Sequence, residues 1–253
     1  MIEPPPRAVS YAPLTLSLII PAYNQRARST RAAATAMAFL RTQYAERAEL
    51  ILVDDGSEPE QRLAEIDLPP GTTLVRHPRN LGKGGAVRSG VARARGEYIV
   101  FTDSDLPFSL EPVATTLAWL REGTDVVIGD RLHPDSHAAI EVTQARRLSS
   151  VVYTWMVNGL LGLDYPDTQC GYKGYRAPVA KEIFAKLEVT SFAFEVEFLL
   201  RAHAAGYRVR RQPLQLVHDE DSSVRLTRHA PRMLLDVMRI AWRARRGRYE
   251  RHG

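Results

Sequence analysis

Three apolar runs in the first 105 residues each end in a short polar cluster. Residues 14–20 (LTLSLII) lead into Pro21-Ala22-Tyr23-Asn24. Residues 49–53 (ELILV) lead into Asp54-Asp55-Gly56-Ser57, and residues 97–102 (EYIVFT) into Asp103-Ser104-Asp105. Runs rich in β-branched residues and apolar without alternation read as strands covered on both faces, the condition of a parallel sheet. Between and after them, residues 28–47 (with Met37, Leu40 and Tyr44 at helical spacing), 84–95 and 112–121 read as helices, and 73–76 and 125–128 as further short strands. The order β-α-β-β-α-β-α-β predicts an α/β fold with a mostly parallel central sheet flanked by helices. In such sheets the functional loops lie at the carboxyl ends of the strands. Asn24, Asp54, Asp55, Asp103 and Asp105 are therefore expected along one edge. Carboxylates gathered without matching cations repel one another, and a bound metal ion would relieve that repulsion.

Composition narrows the class. The chain has 253 residues, enough for one large α/β domain or two small ones, and a formal charge of +5. The basic excess suits anionic partners such as nucleotides, phosphates or anionic lipid. A lone cysteine, Cys170, forms no internal disulfide, so nothing suggests a disulfide-framed secreted protein; it reads as a packing residue. No segment reaches the ~20 apolar residues of a membrane span. The longest uncharged stretch, residues 148–163, suits a core helix or one lying at an interface. Residues 1–13 read as a flexible Pro-rich leader. Residues 14–230 read as one catalytic domain, with a nucleotide half at 14–130 and an acceptor half at 131–230. Residues 231–253 form a basic tail, readable either as an amphipathic helix on an anionic membrane or as a helix packed on the core.

Asp103-Ser104-Asp105 sets two carboxylates two residues apart after a strand, so they share a face in extended chain. Two such groups can hold a hard divalent cation and leave positions for phosphate oxygens, which would neutralise a departing diphosphate. Residues 80–86 (NLGKGGA) form a glycine-rich turn into a helix, where the helix N-terminus and Lys83 would attract phosphate. Neither P-loop nor dinucleotide spacing is present. In the second half, Glu195 and Glu197 open an apolar helix. If the acceptor is a hydroxyl, one of the two would have to deprotonate it, Glu195 for preference, while a phosphate acceptor, already anionic, needs no strong base.

Taken together, PAYN, VDDGS, NLGKGGAVRSGVARARGEYIVFTDSD, GDR (129–131) and DTQCGYKGYR (167–176) resemble glycosyltransferase family 2, most of all its dolichyl-phosphate glucosyltransferases and next its polyprenyl-phosphate mannosyltransferases, from about residue 16 to 225. The resemblance implies a GT-A fold, a nucleotide-sugar donor, Mg²⁺ or Mn²⁺, and inversion at the anomeric carbon. It implies that Pro21, Ala22 and Tyr23 line the base and ribose pocket, that Asp55 bonds the nucleobase, and that Lys83 and Ser104 lie near the donor. Asp103 and Asp105 would hold the metal, with His218 as a third ligand. Arg131 and Arg147 (or its neighbour Arg146) would meet an acceptor phosphate, Arg225 the diphosphate, and Asp167 the sugar; Asp167 and Glu195 are the carboxylates assigned to catalysis. Gln25 stands where many relatives have Glu, and Leu106-Pro107-Phe108 replaces the small residues usual after the D-x-D.

The expected reaction is transfer of a hexose, glucose for preference, from a UDP-sugar (or a GDP-sugar) to a polyprenyl phosphate. The alternative is the same chemistry on a soluble hydroxyl. The expected place is the cytoplasm or the inner membrane face; oligomeric state is left open. A nucleotidyltransferase would carry a Gly-, Arg- and Lys-containing signature after the first strand, where this chain has PAYNQRA. No aromatic-rich RNA motif supports a nucleic-acid partner; a non-catalytic nucleotide-binding protein is the remaining rival.

Overall fold

The computed structural model describes residues 14–138, 144–217 and 226–249. In chain order the elements are β1 (Leu16–Ala22), α1 (Arg26–Tyr44), β2 (Ala48–Asp54), β3 (Thr72–Arg76), α2 (Lys83–Arg93), β4 (Tyr98–Thr102), α3 (Pro112–Arg121), β5 (Val126–Asp130), β6 (His137–Ala138), α4 (Gln144–Leu161), β7 (Tyr172–Arg176), α5 (Ala177–Lys186), α6 (Phe194–Ala204), β8 (Val209–Pro213), β9 (Gln215–Leu216) and α7 (Leu226–Ala244).

Seven strands form one sheet in the order β3-β2-β1-β4-β7-β5-β8. Every neighbour pair is parallel except those made by β7, which runs antiparallel between β4 and β5. The apolar runs are continuous because both faces are covered. Ile19, Ile51, Val53, Ile99 and Phe101 point to a core shared with α2, α5 and α6. Leu18, Ile20, Leu50, Leu52 and Val100 point to the opposite core, against α1 and α3. Alternate residues of each strand thus serve opposite layers.

The parallel expectation holds, and β1, β2 and β4 lie within two residues of their expected ends. Strand β7 was not expected: its sequence YKGYR carries a lysine and a glycine and looks polar, yet Lys173 is fully buried. The chain turns to opposite sides of β1, to β2 and β3 one way and β4 the other, which makes the carboxyl ends of β1 and β4 the switch point where α/β sheets open a crevice. The register pairs Pro21 with Val53 and Ala22 with Asp54, so the first two polar clusters leave the sheet side by side.

The segment after the D-x-D is fastened from outside the main sheet. Val217 N donates to Pro107 O at 2.8 Å, and Phe108 bridges to Leu216 in β9, which pairs with β6. Leu106 adopts φ 43°, a left-handed conformation that bulky residues rarely take, and its side chain is buried.

Candidate functional site

The loops after β1 and β2 are bonded to each other. Asn24 N donates to Ser57 Oγ at 2.9 Å, and Asn24 Oδ1 accepts from Glu58 N at 2.9 Å. The fully buried Asp54 accepts from Ser57 N and Leu63 N, both at 3.0 Å. Asp55, 3% exposed, lies under the glycine-rich turn. Its Oδ1 bonds His77 Nδ1 (2.7 Å) and Leu81 N (2.9 Å), and its Oδ2 accepts from Asn80 Nδ2 (2.9 Å) and Gly82 N (2.8 Å). Asp55 is thus the organiser of residues 77–82, and a nucleobase N–H would have to replace one of these four donors. Pro21 and Ala22 are buried at the end of β1, while Tyr23 is 43% exposed and offers a ring.

The glycine-rich turn packs against the segment before α6. Gly82 has φ 92°, and a Cβ there would come within 2.5 Å of Thr190 O. Gly84 N donates to that same carbonyl at 2.8 Å. One of the orphan donors at the start of α2 is therefore already satisfied, and the positive charge at the helix start is supplied by Lys83.

Lys83 points inward and bridges two carboxylates, with Nζ 2.8 Å from Asp103 Oδ1 and 2.9 Å from Glu195 Oε1. Burial opposes its charge, but Asp103 and Glu195 outweigh that and hold the ammonium above the ordinary lysine range. The other oxygen of Glu195 is in contact with Lys173 Nζ, which also donates to Cys170 O at 2.8 Å. Glu195 is 1% exposed and Lys173 fully buried. Glu195, expected as a base, is thus paired on both of its oxygens. A carboxylate with an ammonium on each oxygen is built to hold two lysines in place, and to take a proton from an acceptor it would have to give one of them up. The alternative base, Glu197, is also buried and binds Glu188 N, Val189 N and Arg201. Cys170 is buried and its thiol is pushed up by that burial, consistent with a packing role.

In the D-x-D, Ser104 Oγ donates to Gln25 Oε1 at 2.8 Å, so the departure at Gln25 ties the first loop to the third. Asp103 N donates to Gly171 O at 3.1 Å, and a Cβ on Gly171 would meet the Asp103 carboxylate at 1.9 Å. Asp105 Oδ1 is buried with no hydrogen-bond partner. Burial first, and then the Asp103 charge, push the Asp105 carboxyl above the ordinary carboxylate range. A buried oxygen without a donor beside a second carboxylate fits a hard divalent cation. Among the described residues no three His, Cys, Asp or Glu side chains gather as a complete metal cage. Phosphate oxygens and further ligands would complete the shell.

On the far wall, Arg131 grips Asp167 through two parallel bonds, Nε to Oδ2 at 2.7 Å and Nη2 to Oδ1 at 2.8 Å, while Arg131 N adds a third at 3.1 Å. Burial would raise the Asp167 carboxyl, but the Arg131 charge and hydrogen bonds overcome it and hold it low. Arg131 keeps 33% of its side chain exposed against 2% for Asp167. Asp167 therefore anchors a guanidinium that stays partly open to solvent. Thr102 Oγ1, Thr168 Oγ1 and Gln169 Nε2 are buried without partners on the strand end and loop flanking these groups.

Arg147 lies in α4, but its side chain falls outside the description, and His218 and Arg225 lie outside the described residues. Sequence reasoning missed Lys173, His77 and the Gln25–Ser104 bond. The signal for Lys173 was a lysine inside the motif at 167–176 with no obvious acidic partner nearby in sequence.

Comparison with known proteins follows this geometry. The family model described as "Glycosyl transferase family 2" matches residues 17–184. The chain is 27% identical over 242 residues to glycosyltransferase AglD of Haloferax volcanii, covering 94% of this chain and 38% of that protein. It is 27% identical to the dolichyl-phosphate beta-glucosyltransferase of Saccharomyces cerevisiae (89% of this chain, 73% of that one) and 31% identical to that of Drosophila melanogaster (75% and 63%). The fold is similar to glucosyl-3-phosphoglycerate synthase from Mycobacterium tuberculosis in complex with UDP, with TM-score 0.63 at 17% identity over 90% of this chain and 80% of that one. It is equally similar to mannosyl-3-phosphoglycerate synthase from Rubrobacter xylanophilus, with TM-score 0.63 at 16% identity over 95% and 77%. The GT-A architecture expected from the motifs is thereby borne out.

Proposed function

The chain belongs to glycosyl transferase family 2 and is a glycosyltransferase, and from that premise we propose that it transfers glucose, with inversion, from UDP-glucose to a polyprenyl phosphate. The names of the relatives support the sugar and the acceptor class, and the bound UDP of the structural neighbour supports the base.

The observation that favours a phosphate over a hydroxyl acceptor is the pairing of the crevice carboxylates. Asp103 and Glu195 share Lys83, Glu195 also holds Lys173, and Asp167 is taken by Arg131. A hydroxyl acceptor needs one of them as a base. A phosphate arrives already anionic, and its oxygen attacks the anomeric carbon opposite the diphosphate, whose bond to the sugar breaks with the electron pair leaving on the diphosphate. Arg131, with donors beyond those given to Asp167, orients the acceptor phosphate. Lys83 places its charge beside the departing diphosphate. A divalent cation, Mg²⁺ or Mn²⁺, held by Asp103 and Asp105 would neutralise charge on that leaving group. His218, which follows Val217 in sequence, is assigned as a further ligand, and Arg225 as a diphosphate contact. Tyr23 offers its ring to the base, and the chain works at the inner membrane face.

The test is incubation of radiolabelled UDP-glucose with a short-chain polyprenyl phosphate, the matching unphosphorylated alcohol, and a panel of soluble sugars and alcohols. Label should enter the phosphate lipid alone. Transfer to a soluble hydroxyl with none to lipid phosphate would sink the acceptor assignment, and UDP binding without transfer or donor hydrolysis would favour a binding protein.

A further inference from the structure

Helix α4 has an unusual outer face. Residues 148–163 carry no charge, yet Val151, Val152 and Trp155 are exposed, Trp155 to 78%. A Cβ added at Gly159, on the same face, would meet nothing within 4 Å. The opposite side of the helix is ordinary core, with Val157 buried in the same cluster that holds Ile183 and Phe198. A helix apolar on all sides is normally enclosed. This one is not, and no described helix is long and apolar enough to cross a membrane.

Helix α7 packs against α4 and repeats the pattern. Val237, Ile240 and Ala241 are buried, while Leu235, Met238 and Trp242, at positions i, i+3 and i+7, are 60%, 50% and 55% exposed. Arginines border this stripe. Arg232 and Arg239, seven residues apart, share one side of the helix and are exposed. Arg246 stacks over the Trp242 ring at 3.8 Å. Apolar side chains with two indoles at the boundary and guanidinium groups alongside match the interface of an anionic bilayer, where indole rings sit at headgroup depth and arginines meet lipid phosphates. A symmetric pairing with a second copy would set these arginine rows against each other.

The inner side of α4 lies toward Glu195. Tyr153, on the inner side of α4, has a buried hydroxyl with no partner. It feels the charges of Glu195 and of Asp236 in α7, and Asp236 accepts from Ser191 Oγ at 2.7 Å.

We infer that the outer faces of α4 and α7, with Trp155 and Trp242 at their centre and Arg232, Arg239 and Arg246 beside them, form a platform that seats the enzyme on an anionic lipid surface. This deepens the reading of a polyprenyl-phosphate acceptor and rests on it for its purpose.

The experiment is co-sedimentation of the full chain with vesicles of phosphatidylcholine, with and without phosphatidylglycerol, read together with tryptophan emission. The wild type should bind the anionic vesicles, shift its emission to the blue, and lose binding as salt rises. Trp155→Ser with Trp242→Ser should weaken binding at least about tenfold, and Arg232→Glu with Arg246→Glu should remove the preference for anionic lipid. Both variants should keep the wild-type melting temperature and wild-type transfer to a short-chain, water-soluble polyprenyl phosphate. Wild type that stays in solution, or a double tryptophan variant that binds as well as wild type, overturns the platform. So does a wild-type dimer that the tryptophan substitutions dissolve without any vesicle binding. Because vesicle binding is read without substrate, absence of transfer to the short-chain phosphate strikes the acceptor assignment alone.

Discussion

Lys83 and Glu195 stand 112 residues apart in the chain, and their side chains meet at 2.9 Å. Glu195 is shared with Lys173 on its other oxygen, so one carboxylate from α6 fixes an ammonium from α2 and another from β7. The part of the chain before residue 130 and the part after it are joined here, and the join is ionic.

Removing one member of that trio leaves uncompensated charge in a buried place. Glu195→Gln and Lys173→Met should each destabilise the fold by about 3–5 kcal/mol. The double variant should cost less than the sum of the two, since each substitution removes the other's unpaired partner. Denaturant titrations of the four proteins of the cycle provide the check; strict additivity would show that the contact carries no coupling.

Asp105 is predicted to be costly to the empty fold and required for donor binding. Its carboxyl is raised by burial and by Asp103, so ionising it costs the folded state free energy, and Asp105→Asn should melt higher than wild type without metal. With Mn²⁺ and saturating UDP-glucose the wild type should gain about 2.7 kcal/mol at a hundredfold excess over Kd, on the order of 5–10 °C at this chain length. The variant should gain little. Equal gains in both proteins, read by thermal shift, would remove Asp105 from the metal site.

Asp167→Asn tests the Arg131 pairing and its pH dependence. The folded-state carboxyl is held below its ordinary value, so its stabilisation is fully present above the unfolded pKa and is lost as pH falls through the lower folded value. The variant should therefore lose about 2–3 kcal/mol near neutral pH, less than a fully buried pair because Arg131 keeps some exposure. That deficit should shrink as the pH drops below about 4. A deficit independent of pH across that window would count against the ion pair as its source.

Gly82→Ala and Gly162→Ala separate two reasons for glycine. Both positions have positive φ, but a Cβ at Gly82 would strike Thr190 O at 2.5 Å, whereas one at Gly162 meets nothing within 4 Å. The second should cost about 1–2 kcal/mol from the backbone alone. The first should cost more and also weaken UDP-glucose binding, because Lys83 follows directly. Calorimetry of both variants, each titrated with donor, would settle the comparison.

The sheet edge that carries the three polar clusters was readable in the chain because burial on both faces writes itself locally. A strand with core above and below is apolar at every position, and the polar residues that follow must lie at its end. That reasoning located β1, β2 and β4, the loops they carry and the unpartnered Asp105. It did not find β7, whose buried lysine disguises a sheet interior until Glu195 is set beside it. Nor did it pair Arg131 with Asp167, or Glu195 with Lys83 and Lys173. A charged residue says nothing in its own neighbourhood about which opposite charge will neutralise it. That partner comes from a distant part of the chain, and folding alone brings the two together.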